Sequence, residues 1–329
     1  MIRSISRKKR SSLLAIALTG FLTAGASIHA VALDELHFLI PGGAGGGWDS
    51  TARGTGEALT KSGLVESISY ENMSGGGGGK AIAHLIETAA QQDDTLMVNS
   101  TPIVIRSLSK VFPQSFRDLT PVAATIGDFG AFVVRADSPY TSFQQVAEDF
   151  VKNPRSVKVA GGSARGSMDH LVAAMAFKAS GGDPRRVKYV AYDAGGKAMA
   201  SLLSGETDIL STGLSEALSL ADAGEVRVLV MTGEERSDAA PEVPTLKELG
   251  YNSSFVNWRG FFGAPDLSEE KKAEFVKTLE KMYETAEWEQ VRARYGWSEI
   301  FKPDATFVAF LGNQEKEMGT LMRELGFLK

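Results

Sequence analysis

Three stretches of the chain concentrate backbone that another group can approach closely: FLIPGGAGGGWDSTAR, SYENMSGGGGGKAIAHL and VKVAGGSARGSMDHLVAAM. Two more, YVAYDAGGKAMASLL and DILSTGLSEAL, share their grammar of an apolar run, a Gly or Ser loop and a helical pattern. A helix start presents unpaired N–H groups and a partial positive charge, so it suits an anion. Glycine removes the side chain that would keep a ligand off the backbone. In open α/β sheets, ligands sit outside the carboxyl ends of the strands. Five such junctions predict a site where several helix starts converge on an anionic group.

The same loops fail the motifs of other chemistries. From Gly43 and Gly45 the third glycine of G-x-G-x-x-G falls on Trp48, which argues against a dinucleotide. SGGGGGKA has Ser74 where a P-loop has its first glycine, and Ala81 where Ser or Thr would ligate magnesium. Gly161-Gly162-Ser163-Ala164-Arg165 puts Arg165 at the last glycine of G-x-S-x-G. With no cysteine, and only His37, His84 and His170 beyond the first 32 residues, a His-based metal site is not expected. No cofactor is expected either. Arg165 and Lys197 stand at helix starts, where a cation opposes the macrodipole unless an anion sits between them. The bland alternative for each is a solvated loop cation. Asp49 reads as a helix N-cap or as a direct ligand, and His170 as a local hydrogen-bonder beside the loop.

The elements that must position these loops follow from periodicity. Strands are expected at Leu36–Ile40, Ser67–Glu71, Leu96–Asn99, Ala131–Arg135, Val157–Ala160, Lys188–Ala191, Asp208–Leu210, Val226–Met231 and Phe255–Phe262. Helical stripes lie between them, so the fold class is α/β with largely parallel strands. Two C-terminal stripes, Phe275–Leu279–Met282 and Phe307–Leu311–Met322, read as core, the second closed by Gly326.

Arg3, Arg7, Lys8, Lys9 and Arg10, the apolar run from Leu13 to Leu18, and Ala30-Val31-Ala32 form a secretory signal peptide over residues 1–32. Without those five basic residues, the 35 Lys and Arg fall to 30 against 40 Asp and Glu, a net charge of about −10. That balance argues against nucleic acid or an anionic membrane as partner. A periplasmic protein held by an ordinary core, without disulfides, is expected.

PGGAGGGWDSTAR, YENMSGGGGGKAIAHL, AGGSARGSMDHLVAA, YVAYDAGGKAMASLLSGETDI, ERSDAAPEVPTLKELG and NWRGFFGAP occur in the order seen in the substrate-binding receptors of tripartite tricarboxylate transporters. GGGWD and NWRG resemble the tricarboxylate-type branch. The resemblance implies a two-domain, type II periplasmic-binding-protein fold with two crossing hinge strands, near Ala131–Arg135 and Val226–Met231. Residues 33–131 and 231–329 would form one domain and 132–230 the other. It implies a monomeric receptor, not an enzyme, that captures a di- or tricarboxylate by hinge closure and delivers it to membrane permease subunits. Carried over, its binding loops fall on Gly45, Gly46, Gly47, Trp48 and Asp49; on Ser74, Gly75 and Gly76; and on Ser163, Ser167 and His170. Further loops fall on Tyr192, Asp193 and Gly195, and on Ser211 and Thr212. Arg165 and Lys197 depart from the pattern and add positive charge beside the inferred pocket. The rivals are an exported enzyme acting on an organic acid and a ligand sensor for a membrane kinase.

Overall fold

Short apolar runs broken by Gly-rich loops give ten strands in the computed structural model, which describes Met1 and residues 33–329. The signal peptide read from the sequence, Met1 apart, lies outside the described residues. The strands are β1 (Leu33–Ile40), β2 (Val65–Asn72), β3 (Thr95–Ser100), β4 (Thr120–Arg135), β5 (Lys158–Gly161), β6 (Lys188–Ala191), β7 (Ile209–Gly213), β8 (Val226–Met231), β9 (Val256–Gly263) and β10 (Ser298–Pro303). Ten α-helices lie among the described residues: α1 (Gly47–Lys61), α2 (Gly79–Glu87), α3 (Thr101–Leu108), α4 (Phe143–Lys152), α5 (Met168–Ala179), α6 (Gly195–Leu203), α7 (Leu218–Asp222), α8 (Glu269–Tyr283), α9 (Ala286–Tyr295) and α10 (Asp304–Glu324).

The strands pair in the order β2-β1-β3-β9-β4-β7-β5-β6, with β8 and β10 also on β4. β1 runs parallel to β2 and β3, and β5 runs parallel to β6 and β7. Each parallel trio therefore sends its carboxyl ends, and the loops that follow, to one edge. β3 and β7 are buried at every residue, as strands covered on both faces must be. The outer strand β2 keeps its charged residues exposed, which blunts an unpaired edge.

β4 joins the two trios. Its first part, Thr120–Phe129, pairs with β9, and Gly130–Arg135 pairs with β7 and β8. The expected crossing segments Ala131–Arg135 and Val226–Met231 pair with each other beyond the junction. The chain passes between the groups along the whole of β4 and returns between Met231 and Val256. Aromatic and aliphatic side chains fill the two sides: Phe38, Ala52, Leu59, Phe261, Leu279 and Trp288 pack α1, α8 and α9 on the first group. Ala131, Ala198, Leu202, Leu210 and Met231 pack α6 on the second. No described helix is long and apolar enough to cross a membrane.

The sequence-based expectations for β6 and β8 match the observed bounds. The front half of β4 and all of β10 were not anticipated. Pro121, Gly127 and Gly130 break the apolar pattern of β4. The ladder absorbs Pro121 at an irregularity beside Ala123, and Gly127 lies under β10, where a Cβ would come 2.4 Å from Ser298 Oγ.

Candidate functional site

The carboxyl ends of the two trios face one cavity of about 410 Å³. Its wall comes from the loops after β1, β2, β5 and β6, from Ser100 at the end of β3 and Pro102 beyond it, from Glu216 after β7, and from Asn257 and Arg259 on β9. All five junctions singled out in the sequence thus contribute. The loop after β1 meets the loop after β6: a Cβ on Gly43 would lie 3.0 Å from Ala194 Cβ. Gly47 has no room for a side chain, because a Cβ there would sit 2.2 Å from Arg259 Nη2 and 2.7 Å from Glu216 Oε1. Trp48 stands in the wall, its indole N–H donating to Ser100 Oγ at 2.9 Å.

The helices that start at this cavity share one property. α1, α2, α3, α5 and α6 begin after Gly46, Gly78, Ser100, Ser167 and Ala194, and none has a side-chain hydrogen bond capping its start. Of the helices that begin elsewhere, α4, α8 and α9 are capped by Ser142, Ser268 and Thr285, and α7 and α10 are not capped by a side chain. N–H groups that no side chain of the N-cap residue fills are therefore gathered at the cavity, although at α2 those of Gly79 and Lys80 turn to the Gly76 and Gly75 carbonyls. Two more are answered by side chains of the site, the first being Gly47 N–H, which donates to the Glu216 carboxylate. Asp169 N–H is answered by Ser163 Oγ at 3.0 Å.

Four charged side chains line the wall. Arg259, 2% exposed, pairs with the fully buried Asp128 at 2.6 Å and donates to Gly47 O at 2.9 Å and Thr51 Oγ1 at 3.0 Å. Ser215 adds its N–H and hydroxyl to Asp128. Glu216 lies 3.9 Å from Arg259 Nη2 and accepts from Thr212 Oγ1 at 2.7 Å. Burial raises its pKa, although the Arg259 charge pulls the other way. Asp169 is pushed up to about 7, first by burial and then by the negative charge of Glu216. The exposed Asp193 pairs with Lys197 at 3.2 Å. Three acids against one already paired arginine make a less positive site than Arg165 and Lys197 suggested. Asn257 lines the wall too, 4% exposed, and its amide oxygen has no partner.

The sequence profile of the tripartite tricarboxylate transporter family receptor matches residues 52–327. The chain belongs to that family. Several solved structures share its fold. The periplasmic binding protein BugD is 19% identical, with a TM-score of 0.79 over 89% of this chain and 98% of its own. MatC from Rhodopseudomonas palustris, with bound malate, is 20% identical, with a TM-score of 0.76 over 88% and 98%. A second R. palustris protein, with adipate, is 20% identical, with a TM-score of 0.79 over 89% and 97%. At such identities the likeness speaks to the fold of this family member, α/β with a mixed sheet.

Of the residues named from the sequence, Gly46, Gly47, Trp48, Ser74, Gly75, Gly76, Ser163, Ser167, Tyr192, Asp193 and Gly195 line the cavity. Gly45 lines a smaller hollow beside Gly195 and Gly196. The remaining six lie off the cavity wall. Asp49 sits inside α1 rather than at its N-cap; its carboxylate accepts from Gly45 N–H, Arg53 and Asn72 and so braces the glycine loop. Arg165 turns its guanidinium onto the Tyr189 carbonyl, and Lys197 is spent on Asp193. His170 accepts from Gly166 N–H at 3.0 Å and stacks on Tyr189; burial and the Arg165 charge lower its pKa to about 4. Ser211 donates to Asp169 O, and Thr212 holds Glu216. Ser100, Asp169, Glu216, Asn257 and Arg259 reach the wall without having been singled out. A signal existed for one of them: Arg259 is a lone charge inside the apolar strand VNWRGFFG, and a buried charge demands a partner.

Proposed function

We propose that the chain is a periplasmic solute receptor that binds a di- or tricarboxylate in this cavity, performs no chemistry on it and hands it to membrane permease subunits. The observation that carries this reading is the set of five helix starts without side-chain caps around one cavity. Backbone N–H groups at those starts, with the hydroxyls of Ser74, Ser163 and Ser167, hold a carboxylate without a dedicated cation. Asp169 fits the same reading, since a carboxyl that titrates near neutral pH can donate its proton to a ligand oxygen. The acids seen in MatC and in the adipate-bound neighbour support a dicarboxylate. The leader over residues 1–32 supports export.

Residues 33–131 with 231–329 act as one domain and 132–230 as the other, and the ligand draws them together about β4 as a hinge. The receptor works as a monomer.

The test is a thermal melt of the mature protein, unfolded and refolded to strip carried-over ligand, against citrate, isocitrate, cis-aconitate, tricarballylate, succinate, malate, glutamate and an aromatic dicarboxylate. Saturation at a hundredfold over Kd adds about 2.7 kcal/mol. A selective rise with one acid names the ligand. A flat panel sinks the carboxylate reading.

A further inference from the structure

The cavity wall is acidic for a site that takes an anion. Asp169, Asp193 and Glu216 line it against one guanidinium, Arg259, which the buried Asp128 already holds at 2.6 Å. Asp193 is paired with the exposed Lys197. Asp169 and Glu216 are left facing the interior, and adjacent residues of β7 hold them: Ser211 donates to the Asp169 carbonyl and Thr212 to the Glu216 carboxylate. Gly195 has no room for a side chain beside Glu216 Oε2, and Gly162, packed on the Gly195 backbone, donates its N–H to the Asp169 carboxylate.

The other charged and titratable groups around Asp169 do not cancel its charge. Arg165, in the loop after β5, turns to the Tyr189 carbonyl. Tyr189, on β6, is kept a neutral phenol by burial. His170, next on α5, is kept neutral by a pKa lowered to about 4. Arg106, on the α3 helix that packs against α5, faces the Arg165 carbonyl. β4 brings Asp128, whose charge goes to Arg259. Among the described residues no cation lies within ion-pair distance of Asp169, which is 5% exposed. A ligand carboxylate in the same 410 Å³ adds a further negative charge beside it. Like charges sharing a buried site do not all stay ionised. Burial and the Glu216 charge already push Asp169 up to about 7, so it is the wall acid able to take a proton near neutral pH.

We propose that the receptor binds its acid together with one proton, which settles on Asp169. The proposal rests on the receptor reading above and deepens it, because it says how an acid-lined cavity holds an anion. The proton removes one like charge and gives Asp169 a hydrogen to donate to a ligand oxygen. Affinity then falls as pH rises past the point where ligand-free Asp169 gives up its proton, since each binding event must draw one from solution.

The experiment is titration calorimetry of the refolded mature protein with malate and with adipate at about pH 8, where ligand-free Asp169 is mostly ionised. It is run in HEPES and in Tris, which release a proton with a small and a large heat. Both acids are fully ionised there, so a proton taken up goes to the protein. The binding heat should differ between the buffers by the amount for close to one proton per acid. Affinity should fall by up to about tenfold per pH unit above pH 7. Asp169→Asn, neutral at every pH, should give equal heats in the two buffers and an affinity level with pH. Equal heats for the parent, or a parent affinity level with pH, overturn the proposal and leave the receptor reading in place. A proton still taken up by Asp169→Asn also overturns it, because the proton then settles elsewhere. If neither acid binds between about pH 6 and about pH 8 the proposal falls, and the wider acid panel decides whether the receptor reading falls with it.

Discussion

The helices that start at the cavity differ from three that start elsewhere, α4, α8 and α9, although α7 and α10 also begin without a side-chain cap. Ser142, Ser268 and Thr285 each satisfy a helix start from their own side chain. Gly46, Gly78, Ser100, Ser167 and Ala194 do not. A missing cap costs about 1 kcal/mol per helix, so a chain shaped for stability alone would fill these positions. Ser100 and Ser167 have the right chemistry and still do not cap: the Ser100 hydroxyl receives the Trp48 indole N–H. The difference teaches that every helix start at the cavity is left without a capping side chain, whereas away from it α4, α8 and α9 are finished and only α7 and α10 are not.

That contrast can be broken most severely at Arg259, which ties β9 to the α1 start. Arg259→Met strands Asp128, 0% exposed, without its counter-charge. Breaking a buried pair from one side costs about 3–5 kcal/mol. Chemical denaturation of the variant should show that loss even without ligand, whereas a near-neutral outcome would remove Arg259 from the frame of the site.

The next effect is a pH dependence at Asp169. Its folded pKa of about 7 lies above the ordinary carboxylate range, so the folded state holds a proton that the unfolded state has released. Stability from this group is fully present below about pH 4 and is lost as pH rises through 7. His170, lowered to about 4, works in the opposite sense over pH 4 to 6.5. Comparing Asp169→Asn with the parent isolates the first contribution. At about 1.4 kcal/mol per pKa unit, the variant should gain a few kcal/mol on the parent between pH 4 and pH 7. A constant difference across that range would refute the raised pKa.

The smallest effect is the sharpest test of the contrast itself. Thr285→Ala removes a cap on α9 and should cost about 1 kcal/mol while leaving carboxylate affinity unchanged. Ser167→Ala removes no cap at the start of α5, so its melting temperature should stay close to the parent's and its affinity should fall. If the two variants behave alike in both measurements, the helix starts at the cavity are not special.

The site was legible in sequence where it is built from neighbours along the chain. A strand, a glycine loop and a helix are contiguous, and all five such junctions reach the cavity. Contacts between distant segments were not legible. Arg259 and Asp128 are 131 positions apart, and no spacing rule links VNWRGFFG to TIGDFG. Arg165 and Lys197 show the converse limit. Each sits at a helix start, as a cation facing a bound anion would. Yet a backbone carbonyl holds the first, and Asp193, one turn back, holds the second. Side-chain direction, which decides between these outcomes, is set by packing rather than by position in the chain. The front of β4 was missed for a related reason, since Pro121 and Gly127 read as breakers until the bulged ladder and the close passage of β10 are seen.

The placement of β9 has a consequence for how the chain comes together. This strand lies between β3 and β4 in the sheet, although it is made long after both. Until residues 256–263 have emerged, β3 has no partner on that side, and the first part of β4 lacks both β9 and the still later β10. A fold whose central seam closes last keeps its early segments loose through most of synthesis, because non-local pairing comes late and slowly. For a receptor exported as proposed above, that delay would leave the chain in the form a narrow pore can accept.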